Sequence, residues 1–224
     1  MISKKVFCSK LDHSILGWTC TEAQVRQYCD EVLEFGFRSV CVNPDYVSFC
    51  KSVLENRAGI SCVVGFPCGA NTINTKIYEG IEAIRNGATE LDCVTNFGLL
   101  RNGKDAQLLE EYRAFVQAMK DERPETVVKY IIYAPYGQNP FLTEDETKRL
   151  AEMVVASGAD YIKFLCDPRK IKPLIGSRIK MKFSGAVDLR VTLDAIEQGC
   201  DRIGEDSAVK WLRETPDSFW GPEL

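Results

Sequence analysis

Short apolar runs alternate with longer stretches of helical spacing along this chain, and that alternation restricts its fold more than any single motif. The strand-like runs are Val6–Asp12, Ser39–Val42, Ile60–Val64, Glu90–Val94, Val127–Tyr133, Tyr161–Phe164, Lys180–Ser184 and Arg202–Gly204. Between them, Thr21 and Gln24 make a capping box ahead of a stripe of Val25, Cys29, Val32 and Leu33 that stops at Gly36. Further helical patterns cover Asp45–Asn56, Asn74–Asn86, Lys104–Lys120, Thr143–Ser157, Val191–Gln198 and Ser207–Arg213. A proline-bearing loop is expected between the fifth strand and Thr143. Parallel strands need a crossover of about a dozen residues, which a helix supplies. Eight such units in 224 residues predict an α/β chain folded as a single (β/α)8 TIM barrel over residues 1–224, with no linker or charge block to divide it. An open doubly wound sheet is the alternative, but no G-x-G-x-x-G follows the first strand.

A net charge of −4 gives no reason to expect a nucleic-acid or anionic-membrane partner. No apolar run approaches the length of a membrane span, and the Met1–Val6 start carries no signal-peptide core, so a cytoplasmic protein is expected. The ten cysteines are scattered without a C-x-x-C pair, and His13 is the single histidine. That pattern predicts buried free thiols and no metal site.

One stretch carries the chemistry. Gly158-Ala159-Asp160-Tyr161-Ile162-Lys163-Phe164 reads as a helix exit and a short strand with a lysine near its end. Ile179-Lys180-Met181-Lys182-Phe183-Ser184-Gly185 nearly repeats it. In a closed barrel both ammonium groups point into one mouth, where they are expected to depress one another's pKa and leave one amine nucleophilic. Asp12, Asp92 and Lys129 join the two lysines as inner-face candidates. Asp92 paired with Lys182 or Lys129 is also intelligible as a purely structural contact.

The sequence resembles the deoxyribose-phosphate aldolase family of class I aldolases. Matching segments run in family order: Leu11-Asp12-His13, Ser39–Pro44, Gly65-Phe66-Pro67-x-Gly69-Ala70-Asn71-Thr72, Glu90-Leu91-Asp92, Gly158–Lys163, Lys182-x-Ser184-Gly185 and Arg202-Ile203-Gly204. The resemblance implies Lys163 as Schiff-base lysine, Lys182 as the lysine that lowers its pKa, Asp92 as the proton-transferring group, and Asp12 and Cys41 as pocket residues. It implies no cofactor and no metal.

The departures from the family pattern are as informative. Phe164-Leu165-Cys166-Asp167 follows the Schiff-base lysine, Gly185-Ala186-Val187-Asp188 follows Ser184, and Glu205-Asp206-Ser207-Ala208 follows Gly204. Tyr133 stands where the family has a glutamate, and the chain ends Trp220-Gly221-Pro222-Glu223-Leu224 without the C-terminal tyrosine of some members. Three of these changes fall where the family binds phosphate. Carboxylates at Glu205 and Asp206 would repel that anion. The expected substrate is therefore a non-phosphorylated carbonyl compound, met by Tyr133, Asp167, Ser184, Gly185, Asp188, Glu205 and Asp206 as well as Asp12 and Cys41. The alternatives are a 2-deoxyribose-5-phosphate aldolase yielding glyceraldehyde 3-phosphate and acetaldehyde, and a catalytically silent binding or scaffold relative. A homodimer or higher oligomer is left open.

Overall fold

The computed structural model describes residues 2–133 and 142–222. Eight parallel strands close in chain order, with the first pairing the last. They are β1 (Leu11–Ile15), β2 (Ser39–Val42), β3 (Gly59–Val64), β4 (Glu90–Val94), β5 (Val127–Ile131), β6 (Tyr161–Phe164), β7 (Lys180–Ser184) and β8 (Arg202–Glu205). The helices are α1 (Lys4–Ser9), α2 (Glu22–Phe35), α3 (Val47–Leu54), α4 (Ile73–Asn86), α5 (Phe97–Arg101), α6 (Asp105–Glu122), α7 (Glu144–Ser157), α8 (Pro168–Ile175), α9 (Leu189–Glu197) and α10 (Ala208–Glu214). The alternation thus closes into the (β/α)8 barrel it predicts.

Local capping explains where elements begin. Thr21 and Gln24 exchange the two bonds of a capping box at α2, as do Thr143 and Glu146 at α7. The first strand differs from expectation. Ser3 accepts from the Val6 N–H and starts α1, so Val6–Ser9 are helical and β1 runs instead from Leu11 through Asp12 to Ile15. The expected Asp45–Asn56 helix is a 3-10 turn, Pro44–Tyr46, followed by α3. Two short helices escape the periodicity: α5, capped by Asn96, and α8, which starts at Pro168 and carries Pro173 inside. The proline-bearing loop after β5 falls at 134–141, and Glu223 and Leu224 close the chain; these lie outside the described residues.

The two faces of the barrel wall differ in kind. Outward side chains such as Val40, Cys62, Leu91, Val128, Ile162, Met181 and Ile203 join the apolar layer under the helices. The residues between them point inward and are largely polar: Asp12, Ser39, Ser61, Glu90, Asp92, Lys129, Lys163, Lys182 and Arg202 are all buried. Period-two alternation therefore places an apolar core outside the ring and an ionic core within it.

Candidate active site

Register brings the chemistry together. Lys163 on β6 lies opposite Lys182 on β7, and Asp92 on β4 lies opposite Lys129 on β5. Asp92 Oδ2 accepts from Lys163 Nζ and from Lys182 Nζ, each at 2.8 Å. Its Oδ1 accepts from Lys129 Nζ at 2.8 Å and from Ser61 Oγ at 3.1 Å. One carboxylate thus holds three ammonium groups.

Toward the N-terminal ends of the strands the network continues. Asp12 Oδ2 lies 2.5 Å from Lys182 Nζ, while Asp12 Oδ1 accepts from Ser39 Oγ at 2.8 Å and from Arg202. Arg202 also donates to Glu90 at 2.8 Å, and Glu90 Oε2 lies 2.6 Å from Lys129 Nζ. Gly204 makes room for this. A Cβ there would lie 2.5 Å from Ser184 Oγ and 3.0 Å from Lys182 Cε, obstructing the path Lys182 takes across the barrel. Cys41 is fully buried beside the network, and burial and Asp92 push its thiol up.

The electrostatics correct one expectation. Burial pulls Lys163 down most strongly, but Asp92 in direct contact, with Tyr133 and Cys41 adding to it, holds the ammonium above its usual range. Burial likewise opposes Lys182, and Asp12 and Asp92 raise it. Lys163 does lower Lys182, as close ammonium groups should, yet Asp12 and Asp92, both in contact with Lys182, prevail. Lys182 therefore does not leave Lys163 neutral at rest. Asp92 itself, buried but faced by Lys129, Lys163 and Lys182, is held well below the usual carboxylate range.

The rim residues behave differently from the interior. Asp167 accepts from the Arg169 N–H at 2.9 Å and caps α8, and Asp188 accepts from the Val191 N–H at 2.9 Å and caps α9. Both carboxylates are occupied by their own helices rather than gathered around Lys163. Glu205 is buried, and its Oε1 accepts from the N–H groups of Asp206 at 3.0 Å and Ser207 at 3.2 Å. Burial pushes its carboxyl up to about 7. Asp206 is exposed and accepts from Ser207 Oγ. Ser184 is buried on the inner face with its hydroxyl unpaired, and Gly185, at φ 78, follows it under Leu165. Half-buried Tyr133, just past β5, acts on Lys163.

Glu90, Arg202, Ser39 and Ser61 escaped the sequence reading as site members. The signal was present for Glu90, which sits two residues before Asp92 and so shares its inward face. Arg202 reads as an ordinary strand-opening charge until the barrel closes over it.

Comparison with known proteins decides the family. The DeoC/LacD family aldolase model matches residues 7–168. The chain belongs to that family. A deoxyribose-phosphate aldolase from Carboxydothermus hydrogenoformans is 35% identical over 95% of this chain and 96% of its own length. One from a Geobacillus species is 37% identical over 89% and 91%. Among solved structures, an aldolase designated QR15 superposes with a TM-score of 0.83 at 32% identity, covering 93% of this chain and 95% of that one. The tetrameric deoxyribose phosphate aldolase from Aeropyrum pernix gives 0.82 at 27% identity, covering 95% and 92%. This family member is a lyase of the class I aldolase type, which displaces the silent-scaffold alternative. No helix among the described residues is long and apolar enough to cross a membrane.

Proposed function

We propose that Lys163 condenses with the carbonyl of a small, non-phosphorylated substrate, and that the iminium it forms drives reversible carbon–carbon cleavage. The observation that carries this reading is the Lys163–Asp92 contact at 2.8 Å, in a buried cluster whose other lysines are held by more than one carboxylate. Lys163 is also the one of the three lysines with residual exposure, 2% against 0%.

The chemistry balances without a cofactor. Two protons of the Lys163 ammonium leave with the carbonyl oxygen as water, and the nitrogen keeps one proton as the iminium, so the charge of the cluster does not change. Asp92, in contact with the nitrogen, relays those protons. In cleavage a base then takes the proton of the β-hydroxyl, the carbon–carbon bond breaks, and its electron pair passes into the enamine. An aldehyde departs. Protonation of the enamine carbon and hydrolysis of the iminium by water return Lys163.

Glu205 supports a substrate without phosphate. It already engages the backbone N–H groups of Asp206 and Ser207 that an anion would otherwise take. A second reading, cleavage of 2-deoxyribose 5-phosphate to glyceraldehyde 3-phosphate and acetaldehyde, is favoured by the name of the Carboxydothermus and Geobacillus relatives, matched over most of their lengths. A cytoplasmic location follows from either reading. The tetrameric Aeropyrum structure supports homo-oligomerisation here too.

Two measurements test the proposal. Borohydride reduction in the presence of acetaldehyde should add the reduced ligand's mass to the Lys163 peptide. Lys163→Ala and Lys163→Arg should abolish it, since guanidinium stays protonated; undiminished labelling elsewhere refutes the assignment. The second is kcat/KM for a sugar phosphate against its dephosphorylated analogue. A preference of roughly tenfold or more for the phosphate, about 1.4 kcal/mol, establishes the second reading instead.

A further inference from the structure

Among the described residues, the charges of the barrel interior are unequal. Lys129, Lys163, Lys182 and Arg202 face Asp12, Glu90 and Asp92, four cations against three carboxylates, all buried. One positive charge is uncompensated. Lys129 touches Glu90 and Asp92 within 2.8 Å, Lys182 touches Asp12 and Asp92, and Arg202 touches Asp12 and Glu90. Lys163 touches Asp92 alone, through the oxygen it shares with Lys182. Each of the other three cations contacts two carboxylates and Lys163 only one, so Lys163 is the least compensated of the four and the one most sensitive to the charge of the cluster.

We propose that Glu90 and Arg202, remote from the mouth, are positioning residues that set the protonation of Lys163 by fixing the charge of the cluster beneath it. Arg202 acts through Asp12. By occupying Oδ1 it leaves Lys182 only Oδ2, so Lys182 also reaches Asp92 and competes there with Lys163. Glu90 acts in the opposite sense, by compensating Lys129 and Arg202.

Other groups in reach do not change the count. Around Lys163 these are Asp92, Lys182, Cys41 and Tyr133. Around Arg202 they are Asp12, Glu90 and the Tyr161 ring, 5.8 Å away. Arg38 lies 3.6 Å from Glu90, but it is 55% exposed and screened by solvent. This inference rests on the Schiff-base role of Lys163.

The test is the pH dependence of borohydride trapping with acetaldehyde, read by mass at the Lys163 peptide. Arg202→Met removes the surplus cation and should move the midpoint up by about one pH unit; Glu90→Gln adds a surplus and should move it down by about as much. The double variant Glu90→Gln/Arg202→Met restores the count, and Arg202→Lys never changes it, so both should fall near the unmodified protein. Merely structural residues would weaken folding without shifts of opposite sign. If Arg202→Met does not fold, the isosteric Glu90→Gln decides alone, and a midpoint unmoved or raised overturns the proposal. Absence of trapping at Lys163 in the unmodified protein refutes the Schiff-base reading itself. Trapping with unmoved midpoints refutes only the charge count.

Discussion

Replacing Lys182 by Met isolates the interaction between the two ammonium groups that share an Asp92 oxygen. Both ammonium nitrogens lie 2.8 Å from the same Asp92 oxygen, so they are within about 5.6 Å of one another. At an effective dielectric near 20, two unit charges at that separation repel by about 3 kcal/mol, equivalent to about two pH units. Lys163 lowers Lys182, and the same repulsion must act in return on Lys163, so the substitution removes it. Lys182→Met should therefore shift the midpoint of acetaldehyde trapping at Lys163 upward by about two units, and slow trapping roughly a hundredfold near neutrality. The nucleophile is untouched, so trapping should recover at high pH. Methionine keeps most of the aliphatic volume of the lysine, limiting the packing penalty. Denaturant unfolding would establish that the variant is native under assay conditions. A midpoint that stays in place or falls would show that the two amines do not interact across Asp92.

Two further outcomes follow from the rim. Glu205 is raised from its ordinary value to about 7, so the stability linked to its protonation is present at low pH and lost as pH rises through about 7. Glu205→Gln should accordingly gain in Tm relative to the unmodified protein between about pH 5 and pH 8, and a pH-independent difference would contradict this. At Gly69, φ is 67 and an added Cβ would lie 2.0 Å from the Thr95 carbonyl oxygen. Gly69→Ala should lose about 2 kcal/mol or more in urea unfolding, and a loss under about 0.5 kcal/mol would mean that the loop moves aside freely.

Strand positions were legible because each apolar run is bounded by a cap or a turn. Ser39–Val42, Glu90–Val94, Tyr161–Phe164 and Lys180–Ser184 are strands over the expected residues. Val6–Ser9 failed because a single Ser3 side-chain bond turned a β-prone segment into helix. α8 has no counterpart among the expected helices, since Pro168 and Pro173 break its helical spacing, although Pro168 occupies the first helical position, where no N–H is needed. Lys163, Lys182 and Asp92 were conspicuous as charges inside apolar strands. Their mutual electrostatics were not legible, since the expected depression of Lys163 required knowing whether a carboxylate stood nearer than the second ammonium. Side-chain contacts across the barrel supply that.

The same physics explains why the interior and the rim differ in how much a sequence discloses. A charge within a closed barrel is tolerated only when others answer it, so Asp92 implies its lysines, and Glu90 and Arg202 imply each other. At the rim a carboxylate has a local alternative. Asp167 and Asp188 cap the helices they precede, and Glu205 folds onto the N–H groups of Asp206 and Ser207. For Asp167 and Asp188 the acidic character seen in the sequence is therefore spent on helix starts. Glu205 is different: its Oε2 is buried without a hydrogen-bond partner, and its Oε1 takes donors that a phosphate would need. A phosphorylated substrate would have to displace that carboxylate or sit beside it. Because burial raises that carboxyl to about 7, it can be neutral beside a phosphate near neutral pH, so the obstacle is the occupied N–H donors and the buried side chain rather than charge repulsion alone. Of the acidic departures at the rim, Glu205 is thus the residue that the proposed non-phosphorylated substrate rests on.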